Sequence, residues 1–198
     1  MGRRPNPQRK QDLLDEIIDY LGEHGIGDLS LRPLAKRLGT STYTLTYQFG
    51  SKDQLLADAV NHAQARQLSA VAAWLDHQPT LSAAELLRQL WRWTALPENL
   101  RLVRMLLEAT TLAHSQPDVF GNVGPQVMAH NVELIRQAFE REGQTSAQAS
   151  QRATQLCATL VGLQVDLIAT GDEARLGEAV NELAATLERD RRAALNNG

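Results

Sequence analysis

Cysteine is nearly absent from this 198-residue chain: Cys157 is the only one, so no disulfide can close within it. That fits a reducing compartment. Long apolar runs are missing as well. No stretch of about 18 consecutive apolar residues occurs, so no membrane span is expected. The N-terminus lacks the apolar core of a signal peptide. Together these absences point to a cytoplasmic protein. A global basic excess is also missing, since the net charge is −3. Any nucleic-acid reading must therefore rest on a local feature.

Catalytic patterns are scarce. The five histidines are scattered at 24, 62, 77, 114 and 130, and none belongs to a His-Glu-x-x-His zinc motif. There is no phosphate-binding glycine loop. Cys157 lies in an apolar stretch and reads as a small packed hydrophobe. No cofactor, metal or enzymatic activity is expected. Alternating strand patterns, internal repeats and low-complexity segments are lacking too.

What is present is helical periodicity throughout. Apolar residues are 43% and charged residues 22%, enough for an ordinary core. The fold class is all-α, with about nine helices. Asn6-Pro7 opens the first, which runs to about Glu23 with Leu13, Leu14, Ile17, Ile18 and Leu21 on one face. Ser30 can cap a second, Leu31 to Leu38, ended by Gly39. Ser41 can cap a third, about Thr42 to Phe49, stopped by Gly50.

Ser51-Lys-Asp-Gln54 reads as a capping box opening a long fourth helix to about His77, closed by Pro79. A second box, Ser82 to Glu85, opens the fifth, to about Thr94. The sixth runs from Pro97 to about His114. Residues 115–125, with two prolines and two glycines, read as a loop. A seventh helix covers about Gln126 to Glu142. The box Thr145 to Gln148 opens the eighth, to about Thr170. The ninth covers about Glu173 to Arg192, and Asn196-Asn197-Gly198 are expected to fray.

The charge is uneven. Residues 1–52 carry eight Lys/Arg and six Asp/Glu, while the rest carry twelve and seventeen. Two short helices around a glycine turn, with a helix before them, form a helix-turn-helix, whose second helix lies in the DNA major groove. From Thr40 to Phe49 there is no charged side chain. Threonine offers a hydroxyl and a methyl for base edges. Tyrosine offers area and reach to phosphate oxygens. Leu45 and Phe49 can face inward against Leu34 and Leu38. That leaves Thr42, Tyr43, Thr46 and Tyr47 outward, with Thr44 at the edge. The plainer alternative is a solvent-facing polar helix.

Across residues 9–56 the sequence resembles the TetR family of bacterial transcriptional regulators. The likeness rests on Leu31-Arg32-Pro33-Leu34-Ala35, Leu38-Gly39-Thr40-Ser41, Thr44-Leu45, Phe49, and Ser51-Lys52 before Leu55-Leu56. It implies a DNA-binding headpiece on a helical regulatory domain, here placed at 1–52 and 53–198. It also implies a homodimer that binds a near-palindromic operator and leaves it when a small molecule enters the larger domain.

By that resemblance Arg32 contacts bases, and Ser41, Thr42, Tyr43 and Thr44 fall in the base-reading segment. Thr46 and Gln48 stand where the family often has a Tyr and a His near phosphates. Lys52 matches a phosphate contact at a helix N-terminus. Tyr47 stands one residue after the usual tyrosine, a turn of about 100° on a helix.

In the larger domain, Leu156, Leu160, Leu163 and Leu167 recur at helical spacing, with Gly162 allowing close approach. Leu176, Val180, Leu183 and Leu187 do the same in the last helix. Two such helices from each subunit can close a four-helix bundle, or both stripes can pack inside one chain. Trp91, Met105, Leu106, Ala109, Met128, Asn131, Ile135 and Gln164 are candidate liners of a site for a mostly apolar ligand. Each can equally be core. Asn131 and Gln164 interrupt apolar faces, and Asp166 reads as a dimer-interface or surface carboxylate.

These features imply a ligand-responsive, sequence-specific regulator, a repressor in sign. The alternatives are a helical small-molecule-binding protein with impaired DNA binding, and a helical enzyme, for which no catalytic constellation is visible.

Overall fold

In a computed structural model, residues 7–78, 80–121 and 123–196 are described, and among them every regular element is an α-helix. In chain order these are α1 Pro7–His24, α2 Leu31–Arg37, α3 Thr42–Phe49, α4 Lys52–His77, α5 Ala83–Ala95, α6 Pro97–Leu112, α7 Pro117–Phe120, α8 Val123–Arg141, α9 Ser146–Thr170 and α10 Glu173–Asn196. The Asn6 cap and Pro79 stop expected from the sequence lie outside the described residues.

The chain forms two compact units. One gathers the described residues up to Ala70 with Leu100–Gln126, and the other gathers Val71–Asn99 with the described residues from Val127 on. In the first unit the apolar stripe of α1 is sealed, with Ile17, Ile18 and Leu21 buried beside Leu34, Leu45, Leu55 and Leu102. α1 and α6 approach so closely that a Cβ on Gly22 would stand 2.6 Å from the Arg101 Cβ and 2.8 Å from its carbonyl oxygen. Only glycine fits there.

Charge and hydrogen bonding tie the same elements. The Glu108 carboxylate on α6 accepts from the backbone N–H of Ile26 at 2.9 Å and of Gly27 at 3.1 Å, in the α1–α2 connection. Asp15 on α1 accepts from Arg66 at 3.0 Å and is paired with His62 at 3.0 Å, both on α4. Lys10 donates to Asp58 at 2.7 Å and lies over the Phe49 ring.

The second unit packs α10 on α5, with α9 meeting both. The Ser82 box closes as expected: its hydroxyl accepts from the Glu85 amide at 3.2 Å, and Glu85 accepts from the Ser82 amide at 2.9 Å. That amide holds the Glu85 carboxyl below its ordinary value. The Thr145–Gln148 box forms likewise. Glu142 accepts from the Ala83 amide at 2.7 Å, joining the end of α8 to the start of α5. Trp74 meets Trp93 edge to face at 6.2 Å.

Several local expectations change. The segment 115–125 is not all loop: Pro117 starts the one-turn α7, pinned by the fully buried Phe120, and α8 begins at Val123. Pro125 falls in the first turn of α8, where its missing N–H has no partner to lose. α10 continues to Asn196, past the expected end near Arg192; of the residues expected to fray, 196–198, the last two lie outside the described residues. Ser30 occupies the N-cap position of α2 without a side-chain capping bond. The box at Ser51 is half made. Its hydroxyl accepts from the Gln54 amide at 3.1 Å, but the Gln54 side chain donates instead to Asp58 at 3.0 Å.

Candidate nucleic-acid interface

The helix-turn-helix is built on two apolar pins per helix. Leu34 and Ala35 of α2, and Leu45 and Phe49 of α3, are buried, while Leu38 is half-buried. Between the helices, Gly39 turns left-handed at φ +60° and Thr40 N–H donates to the Ala35 carbonyl at 2.9 Å. This is the closing bond of a glycine-ended helix. Ser41 then caps α3, its hydroxyl accepting from the Thr44 amide at 3.0 Å. A cap that ties the first turn to the residue before it fixes where α3 starts and which side it shows.

Thr42, Tyr43, Thr46 and Tyr47 are exposed and Thr44 is half-buried, as the spacing predicts. Tyr43 is 76% exposed and Tyr47 64%, and their rings stack with centroids 6.3 Å apart and planes 23° from parallel. The Thr46 hydroxyl turns inward to its own helix, donating toward the Thr42 carbonyl at 3.1 Å and the Tyr43 carbonyl at 3.0 Å. Gln48 is half-buried.

Cations lie before and after this uncharged helix in the chain. Arg32 is exposed on α2, and Lys52 is half-buried in the first turn of α4. Two further exposed cations on α2, Lys36 and Arg37, were not singled out from the sequence. They could have been, because both follow the buried pair Leu34-Ala35 on the opposite side of a short helix. Positive charges thus precede and follow the uncharged helix in the chain, the kind of group that contacts phosphates.

The residues singled out for a ligand divide between the two units. Met105, Leu106 and Ala109 are buried in the first, and Trp91, Ile135 and Gln164 in the second, with Met128 and Asn131 half-buried there. Gln164 donates to the Thr94 hydroxyl at 3.2 Å, giving the second unit a buried amide–hydroxyl pair. Trp91 also edges an open cleft of about 600 Å³ with Asp172, Glu173 and Glu178. Cys157 is buried, and burial pushes its thiol up.

The leucine stripes of α9 and α10 are mostly internal to the chain. Leu156, Leu160, Leu167, Leu176 and Val180 are buried, and Leu163, Leu183 and Leu187 are half-buried. The accessible side of α9 instead carries Ala158, Gly162, Val165 and Ala169, spaced four, three and four residues apart. Nothing stands within 4 Å of a Cβ built on Gly162. α9 is long and apolar enough by composition to cross a membrane, and 33% of its most apolar 18-residue window is buried. Asp166 is half-buried and accepts from Arg175 at 2.7 Å, which holds its carboxyl below the ordinary value.

Comparison with known proteins agrees with this geometry. Residues 13–59, which hold most of α1, all of α2 and α3, and the start of α4, match the family model for bacterial regulatory proteins of the tetR family. No curated protein matches the chain. Solved structures match along nearly the whole of it. A transcriptional regulator from Rhodococcus sp. Rha1 is 19% identical with a TM-score of 0.76, covering 94% of this chain and 97% of that one.

A TetR transcriptional regulator from Legionella pneumophila is 19% identical with a TM-score of 0.73, covering 93% and 98%. A transcriptional regulator from Saccharomonospora viridis, solved with choline, is 19% identical with a TM-score of 0.69, covering 89% and 95%. Residues 13–59 of this chain thus match the bacterial tetR family model, on a chain that shares the fold of these solved TetR regulators.

Proposed function

We propose that this protein is a cytoplasmic, ligand-responsive regulator of transcription that binds a near-palindromic operator as a homodimer and represses until a small molecule releases it. One observation carries the DNA-binding part. A capped, uncharged helix exposes two stacked tyrosines and two threonines, preceded by the exposed cations of α2 and followed by Lys52. Leaving such a face in water gains nothing, whereas a groove floor with phosphate walls suits a neutral helix with cations before and after it in the chain.

Dimerisation is assigned to the accessible face of α9, with Leu163 of α9 and Leu183 and Leu187 of α10 at its border. Leu156, Leu160, Leu167 and Val180 back this face from within their own chain. The small residues at 158, 162 and 169 let a second helix come close, and Val165 supplies the apolar contact. A dimer must set its two recognition helices about 34–36 Å apart to enter successive major grooves.

The effector is assigned to the second unit, around Trp91 and the Gln164–Thr94 pair, with Met128, Asn131 and Ile135 along one side of α8. A buried amide among apolar side chains suits a mostly apolar molecule with one polar group. The Saccharomonospora viridis structure of the same fold holds a small organic ligand, choline. Binding acts by changing the separation of the recognition helices, a coupling of about 1–3 kcal/mol.

The test is selection of bound duplexes from a random DNA library by the purified protein without effector. An inverted repeat with half-sites one helical turn apart is expected. Recovery of no sequence by a folded dimer would overturn the DNA-binding reading.

A further inference from the structure

Which bases α3 reads follows from what its exposed side chains have left to offer. In the major groove guanine is read by Arg or Lys, adenine by Asn or Gln, and cytosine by Asp or Glu. Thymine alone presents a methyl group, which takes apolar contact from threonine methyls and aromatic rings. α3 contains no Arg, Lys, Asn, Asp or Glu. Its one amide, Gln48, is half-buried and lies in the last turn. Base edges meet the N-terminal part of a recognition helix.

Two of the three threonine hydroxyls of α3 are engaged as well, that of Thr42 being the exception. Thr46 Oγ1 is turned to the carbonyls of Thr42 and Tyr43. Thr44 Oγ1 lies 2.9 Å from Ser41 Oγ, which also caps the helix. A threonine whose hydroxyl folds back on the preceding turn shows its methyl to the outside. Thr46 is exposed and lies three residues after Tyr43 and directly before Tyr47, with its hydroxyl turned to its own helix.

We propose that α3 reads thymine: the Thr46 methyl and the Tyr43 and Tyr47 rings pack against thymine 5-methyl groups in each half-site, so that specificity comes from apolar contact more than from hydrogen bonds. This inference rests on the DNA-binding reading above.

The probe is each duplex recovered from the random library, resynthesised with deoxyuridine in place of thymine. That change removes the 5-methyl group and leaves base pairing intact. Affinity for the wild-type protein falls about fourfold for each contacted methyl, the value of one buried methyl group, and so about fifteenfold for one methyl in each of two half-sites. Thr46→Ser keeps the folded-back hydroxyl and removes only the methyl. It weakens binding to the thymine duplex and leaves the deoxyuridine duplex unchanged.

Thr46→Val keeps a methyl on the face and retains the preference. Circular dichroism checks that both variants are folded, as expected for changes at the exposed Thr46. Equal affinity for the thymine and uracil duplexes, or recovered half-sites without thymine, overturns the inference while leaving DNA binding intact. Recovery of no duplex by folded wild-type protein overturns both.

Discussion

Tyr43 and Tyr47 stand one turn apart on the third helix with their rings stacked at 6.3 Å, and both are largely exposed. Stacking in water orders two side chains that burial does not hold. The pair is therefore a preformed flat surface, ready to meet a partner with little ordering left to do.

Replacing either ring separates binding from folding. Tyr43→Ala and Tyr47→Ala should each weaken binding to the selected repeat by about 1–3 kcal/mol. Unfolding in urea should shift by no more than about 0.5 kcal/mol, as for other exposed positions. Fluorescence anisotropy with labelled duplexes checks the first and a denaturation curve the second. An equal loss on random DNA would assign the ring to phosphates.

The two faces of α9 make opposite predictions. Val165 is 51% exposed, so Val165→Glu should leave the chain folded and yield monomers in sedimentation. Leu160 is 5% exposed, so Leu160→Glu should unfold the second unit, because a carboxylate there has no partner. A stable dimer of Val165→Glu would remove the interface from this face.

Glu108 tests the join between α6 and the α1–α2 connection. Glu108→Ala leaves the Ile26 and Gly27 amides without their acceptor. A loss of about 1–3 kcal/mol in urea denaturation is expected where such groups are shielded from water. Hydrogen exchange should speed up at those two amides first.

Gly22→Ala should destabilise the first unit by about 1–3 kcal/mol, the usual penalty for overpacking. The new methyl would meet the Arg101 backbone, which cannot swing away as a side-chain tip could. Gly162→Ala, which meets nothing within 4 Å in the isolated chain, should leave its folding intact and act only on dimerisation.

Much of the headpiece is legible in the sequence because its signals are local. Ser41, Gly39 and Gly50 mark the ends of α2 and α3 through caps and turns that depend on a few neighbouring residues. The four-residue α7 is invisible to periodicity, since one turn shows no repeat, and its anchor is the packing of Phe120. Gln54 looked like half of a capping box until Asp58, one turn on, took its amide. Periodicity put Leu156, Leu160 and Leu167 on one face of α9 but did not say that this face meets its own chain. Nor does the letter Thr at position 46 say that its hydroxyl bonds back to its own helix.

The most direct test of α3 as a recognition helix is anisotropy of the purified protein on the selected repeat and on a scrambled duplex, over a range of salt. A recognition helix gives affinities differing by at least about 10³-fold at physiological salt, with both falling as salt rises. Equal affinity for the two duplexes at every salt would mean that the protein meets only phosphates, and that its uncharged helix does not read sequence.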